Sequence, residues 1–78
     1  MKLTFDLDHN IAYLRLADPP AQVDTIRVSD ELNIDLTADG KVYGIELLNA
    51  NEQLQGLAGG RLLVENEETG QKVDVALP

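Results

Sequence analysis

Asp35-Leu36-Thr37-Ala38-Asp39-Gly40, followed by Glu46, is the densest set of oxygen ligands in this 78-residue sequence. Counted from Asp35, Asp39 is fifth, Gly40 sixth, apolar Val42 eighth and Glu46 twelfth. An EF-hand calcium loop uses that spacing because the glycine makes the bend and the last glutamate grips the ion with both oxygens. Against calcium stand Thr37, where the loop needs Asp or Asn, and flanks that alternate like strands instead of helices. A hairpin turn accounts for Asp39-Gly40 without an ion. A reduced form of the site survives in such a hairpin. Asn33, Asp35 and Glu46 then share one sheet face, with Gly44 leaving a gap opposite Asp35. Two carboxylates and an amide can hold a hard cation or a ligand amine. The plainer reading of that row is the solvated side of a two-faced sheet.

Other chemistry is thinly represented. His9 is the sole histidine and falls in an expected turn, with no cysteine to share a metal. Ser29 is the sole serine; no histidine is near it in sequence and no Gly-x-Ser-x-Gly elbow is present. Gly56-Leu57-Ala58-Gly59-Gly60-Arg61 is glycine-rich, yet it lacks the Lys-Ser/Thr pair of a phosphate loop and follows a helical segment where that motif requires a strand. These features predict no catalytic residues, no cofactor and no enzyme.

Composition narrows the classes further. Fourteen acidic residues against six basic ones leave a net charge of −8. Phosphate binding is driven by Lys and Arg, so this balance argues against nucleic acid and against anionic lipid. One phenylalanine, two tyrosines and no tryptophan provide few stacking platforms for single strands. Cysteine is absent, which removes disulfides and thiol chemistry. The segment from Met1 to Asp6 turns acidic at once, and Arg15, Glu46 and Arg61 interrupt every apolar run. The expectation is a cytoplasmic protein, one domain over residues 1–78, with no membrane partner.

The elements that must position these residues follow from periodicity. Apolar residues recur every second position almost throughout, the signature of strands. Leu3, Phe5 and Leu7 alternate with polar residues, and a two-residue turn at His9-Asn10 pairs Leu7 with Ala12, Phe5 with Leu14 and Leu3 with Leu16. Asp18-Pro19-Pro20 stops that hairpin, since proline cannot donate to a ladder. A third strand over Asp24 to Val28 turns at Ser29-Asp30-Glu31, setting Val28 against Leu32 and Ile26 against Ile34. Asp39-Gly40 as a type I′ turn sets Leu36 against Tyr43, Ile34 against Ile45, and Leu32 against Leu47. Its reverse face pairs Thr37 with Val42, Asp35 with Gly44, and Asn33 with Glu46. From Asn49 the period changes. Asn49 and Glu52 read as a capping box for a helix near residues 50–58 that carries Leu54, Leu57 and Ala58 on one side and ends at Gly59-Gly60. A last hairpin with its turn over Glu67-Glu68-Thr69-Gly70 opposes Glu65 to Lys72. The sum is a mainly β or α+β fold: a small antiparallel, meander-like sheet of about six strands built from hairpins, with one short helix.

Ile11, Tyr13, Val42, Leu48 and Leu63 fall off the main apolar row in these pairings. A small sheet does not leave that much apolar surface wet, so they are interface candidates, and a homodimer is the expected remedy for a core this small. The function expected from the residues is a self-associating, non-enzymatic interaction module. Its acidic surface suits a basic protein partner, and the alternative is ligand or divalent-cation binding at Asn33, Asp35 and Glu46.

Three stretches carry a resemblance: Phe5-Asp6-Leu7-Asp8-His9-Asn10-Ile11-Ala12-Tyr13-Leu14-Arg15-Leu16, Asn33-Ile34-Asp35-Leu36-Thr37-Ala38-Asp39-Gly40, and Gly44-Ile45-Glu46-Leu47-Leu48-Asn49-Ala50. Over about residues 2–52 the chain resembles domain-of-unknown-function family 2283, short and mostly prokaryotic proteins. Ala12 before the tyrosine, Thr37 in place of a second aspartate and the tail from about Gly59 depart from that pattern. The resemblance implies a hairpin-rich fold and a cellular setting, with no assigned activity. It also points to an antitoxin-like role beside small toxin-type proteins.

Overall fold

The computed structural model describes residues 1–19 and 22–78, which contain seven strands and one short helix. The strands are β1 (Lys2–Asp6), β2 (Ile11–Arg15), β3 (Asp24–Ser29), β4 (Leu32–Leu36), β5 (Val42–Leu48), β6 (Arg61–Glu65) and β7 (Lys72–Ala76). All pairings are antiparallel. Five strands form one sheet in the order β1-β2-β5-β4-β3, and β6 and β7 form a separate two-stranded ribbon. The fold is thus mainly β and built from hairpins, as the alternation implied. The sheet is not one continuous meander. Hairpin β1–β2 and meander β3–β4–β5 are joined because β5 pairs with β2 across Ile11↔Leu48, Tyr13↔Glu46 and Arg15↔Gly44.

Within the hairpins, the expected faces hold while some registers move. In β1–β2 the partners are Leu3↔Leu14 and Phe5↔Ala12, a slip of two residues from the expected pairing. The turn spans residues 7–10 because Asp6 folds it back: its carboxylate accepts the His9 backbone N–H at 3.2 Å, and Asn10 adopts φ 56°. Leu7 therefore leaves the strand and is exposed. In β3–β4, Ile26 opposes Ile34 as expected, but a bulge excludes Val28 and sets Ser29 against Leu32. In β4–β5, Ile34↔Ile45, Leu32↔Leu47, Asp35↔Gly44 and Asn33↔Glu46 all stand. Leu36 opposes Val42, not Tyr43, because a bulge inserts Tyr43 as an extra residue. The turn differs too. Gly40 alone takes a positive φ, 84°, and its N–H bonds Thr37 O at 2.9 Å, the pattern of a type I turn closed by a left-handed glycine. Glu65 opposes Lys72 as expected. Of the Asp18-Pro19-Pro20 stop, Pro20 lies outside the described residues; β2 has already ended at Arg15.

The helix, Asn51–Leu57, is π-wound, with the Ala58 N–H reaching back to Gln53 O at 3.2 Å. The capping box expected at Asn49 is not formed. Asn49 is left-handed (φ 52°), its amide donates to Glu52 Oε2 at 2.9 Å, and Ala50 holds the N-cap position without a side-chain bond. The cap comes from across the chain. Asn10 Oδ1 accepts the Asn51 N–H at 2.7 Å, Asn10 Nδ2 donates to Asn51 Oδ1 at 2.8 Å, and the Ala50 N–H bonds Asn10 O at 3.0 Å. Gln53 Nε2 adds bonds to Leu48 O at 2.6 Å and Glu31 O at 3.0 Å. The wider winding carries Leu54 and Ala58 toward the sheet's apolar face and turns Leu57 out to solvent. No helix among the described residues is long and apolar enough to cross a membrane.

Asn10 therefore fastens the first hairpin to the helix. Asn10→Gly keeps the left-handed turn and removes the clamp, so it is expected to cost about 1–3 kcal/mol. Thermal melting, with amide exchange at Asn51 accelerated in the variant, checks this.

Candidate functional site

Strict alternation gives the larger sheet two chemically distinct faces. The polar one carries two rows: Lys2, Arg15, Gly44, Asp35 and Thr25, then Thr4, Tyr13, Glu46, Asn33 and Arg27. Asn33, Asp35 and Glu46 are indeed neighbours there, and each has an intramolecular partner. Asn33 Nδ2 donates to Glu46 Oε1 at 2.9 Å. Asp35 receives the Tyr13 hydroxyl on Oδ2 and the Thr25 hydroxyl on Oδ1, both at 2.6 Å. Gly44 makes this reach possible. A Cβ at position 44 would collide with the Tyr13 hydroxyl and ring, so the missing side chain is the channel through which Tyr13 crosses β5. Among the described residues no group of three or more His, Cys, Asp or Glu side chains is arranged to hold a metal ion.

Burial first, and then donation to Asp35, push the Tyr13 phenol well above its ordinary value of 10.0. At the turn, His9 Nδ1 lies 2.8 Å from Asp6 Oδ2, and hydrogen bonds from the His9 side chain and backbone hold the Asp6 carboxyl below its usual range. Thr37 does the same for Asp39 through its hydroxyl.

The interface candidates divide. Ile11 and Leu48 oppose one another on the polar face, and Tyr13 lies on that face in the neighbouring row. Val42 moves to the other face beside Leu36, because the bulge flips it there and brings Tyr43 to the polar side next to Tyr13. Leu63 stands on the ribbon opposite Asp74, remote from the other four in the sheet pairing. Tyr43 was missed because its position in the alternation assigns it to the apolar row; only the bulge reverses it.

The apolar face is less complete. Leu3, Phe5, Ala12, Leu14, Ile26, Leu32, Ile34, Ile45 and Leu47 lie on it, yet the buried hydrophobic residues among those described are Ala12, Tyr43 and Ala50, and no large side chain is fully buried. A groove of about 470 Å³ runs between this face and the helix–ribbon segment, walled by Leu3, Leu14, Ile45, Leu47, Leu54 and Leu62. The ribbon does not pack extensively on any strand of the larger sheet. Its own apolar row, Leu62 with Val75 and Val64 with Val73, stays exposed, each residue at 43–56%.

A polar face on which Asn33, Asp35 and Glu46 are bonded within the sheet, and an apolar face left partly uncovered, define a small antiparallel-sheet protein. The chain belongs to the family described as protein of unknown function (DUF2283), which matches residues 2–51. That stretch spans β1 to β5 and the start of the helix; the ribbon lies beyond it. No curated protein and no solved structure matches the chain.

Two measurements probe the polar face. Gly44→Ala forces Tyr13 off Asp35, with an expected loss of about 1–3 kcal/mol in denaturant unfolding. Because the folded pKa of Tyr13 lies above the unfolded value, its contribution is intact below pH 10.0 and disappears as pH climbs beyond it. Asp35→Asn removes one cause of the rise, so phenolate absorbance in a spectrophotometric titration is expected to appear at lower pH than in the parent protein.

Proposed function

We propose that this protein is a non-enzymatic interaction module whose first partner is a second copy of itself, docked on the apolar groove. The observation that carries the reading is surface area. The chain exposes 5838 Å². A compact monomer of 8.5 kDa exposes about 4,650 Å² by the usual mass scaling. The excess is about 1,200 Å² per chain, which falls in the range that a protomer buries in a permanent homodimer. The radius of gyration agrees: 13.9 Å, against about 11.5 Å for a compact domain of this length.

The second copy is the occupant that best suits the groove. A two-stranded ribbon is marginal in water unless something packs on it, and this one shows solvent four aliphatic residues in a row. Through Leu62 that row continues into the groove wall. In a two-fold pair each ribbon covers the other's groove, so both deficits are met by one self-complementary contact. The non-enzymatic part of the reading is supported by the polar face, where Asp35 and Glu46 are engaged by donors of their own sheet. A basic protein attracted by the net charge of −8 is compatible with such a dimer as a further partner.

Sedimentation equilibrium at tens of micromolar is expected to return twice the chain mass. Val64→Lys with Val73→Glu, a cross-strand pair that retains an attractive contact across the ribbon, is expected to return the single-chain mass, with the far-ultraviolet dichroism of the sheet retained. A parent protein that remains a monomer at that concentration overturns the reading.

A further inference from the structure

On the side of the sheet away from the groove, where β1, β2 and β5 meet, lies a shallow hollow of about 280 Å³ lined by Lys2, Thr4, Tyr13, Arg15 and Tyr43. None of these is acidic, in a chain with fourteen acidic residues. The distribution of ion pairs isolates the same place. Arg27, Lys41, Arg61 and Lys72 each have a carboxylate within 4.0 Å, at 2.6, 3.6, 3.0 and 3.5 Å. Lys2 and Arg15, the other two of the six, have none among the described residues.

These two unpaired cations are also direct cross-strand partners in the β1–β2 ladder. Like charges facing each other across a ladder oppose pairing. Alternation alone would have been served by a carboxylate at either position, as it is at Glu65↔Lys72. Arg15 is half-buried as a residue, which limits the positions its side chain can take over the hollow. Tyr43 is buried to 8% exposure as a residue, while its hydroxyl oxygen remains accessible to solvent. The hollow thus offers a guanidinium fork, an ammonium and a solvent-facing hydroxyl; no acidic residue lines it, and the Asp35 carboxylate beyond Tyr13 is already engaged by the Tyr13 and Thr25 hydroxyls.

From this geometry we propose that the hollow binds a single oxyanion, the carboxylate or phosphate group of a small ligand. Arginine presents parallel N–H donors matched to two oxygens of such a group, and lysine supplies a second, adaptable charge. An anion between them also relieves their mutual repulsion, so binding strengthens the β1–β2 pair. The net charge sets the scale of the ligand. Screening confines the attraction to about 8 Å at physiological salt, enough for one group, while a polyanion would also meet the surrounding acidic surface. This site is on the face opposite the groove and does not depend on the self-association reading.

Inorganic phosphate and acetate serve as probes, each compared with sodium chloride at equal ionic strength, and read by melting temperature and by backbone amide shifts. At millimolar concentration at least one probe is expected to raise the melting temperature above the chloride control and to shift Thr4, Arg15 and Tyr43 selectively. Preference for phosphate or for acetate identifies the group. Arg15→Lys keeps the charge and loses the fork, and is expected to weaken binding about tenfold. Lys2→Gln with Arg15→Gln removes the repulsion; it is expected to melt above the parent without any probe and to gain nothing from one. Probes that act no differently from chloride overturn the proposal, as do shifts spread over all six cations or a response that survives in the double variant.

Discussion

β5 is the strand on which the rest depends. Its ladder with β2 is the one pairing of the larger sheet that joins strands not consecutive in the chain, while its other edge pairs with β4. It joins a three-stranded meander to a two-stranded hairpin, and a hairpin by itself is marginal in water. Their union aligns Leu3, Leu14, Ile45, Ile34 and Ile26 in one continuous row across five strands. It also brings Tyr13, on β2, within reach of Asp35, on β4, over the bare backbone of Gly44. One ladder therefore fixes the apolar row and the polar bridge together, and Asn10 extends it to the helix.

The two faces were legible because side-chain direction has a period of two. A slip of two residues, as in β1–β2, changes every partner and leaves every face unchanged, so the row Leu3, Phe5, Ala12, Leu14 survives a misplaced turn. An inserted residue is another matter. The bulge at Tyr43 reverses parity locally, and no single residue type announces it; Tyr43 and Val42 exchange faces in consequence. Ile34↔Ile45 and Asn33↔Glu46 were recoverable because they lie close to one tight turn. The β2–β5 pairing and the Asn10 cap were not, since each joins residues more than 28 positions apart and rests on geometry that only the assembled sheet supplies. The polar row was placed correctly as a row. What periodicity could not reveal is that hydroxyls from Tyr13 and Thr25 had already taken the Asp35 oxygens.

The two sides of the sheet invite different company. One is a hydrocarbon groove whose missing cover matches the surface excess of the isolated chain. The other is almost entirely self-satisfied, apart from a cationic corner at the end of β1 and β2. Membership of a family without an assigned activity leaves both readings to the physics of the faces. The ribbon adds a distinction of its own: it lies outside the matched stretch and supplies much of the exposed aliphatic surface.

The bulge at Val28 has a further consequence. β3 borders the sheet, and a straight border strand offers a ready template on which a stranger's backbone can add itself, rung after rung. By throwing one residue out of step between Arg27 and Ser29, the chain breaks that template partway along its length. Arg27, tied to Asp30 at 2.6 Å, adds fixed charge beside the break. On that flank the irregular, charged border disfavours the addition of a further strand.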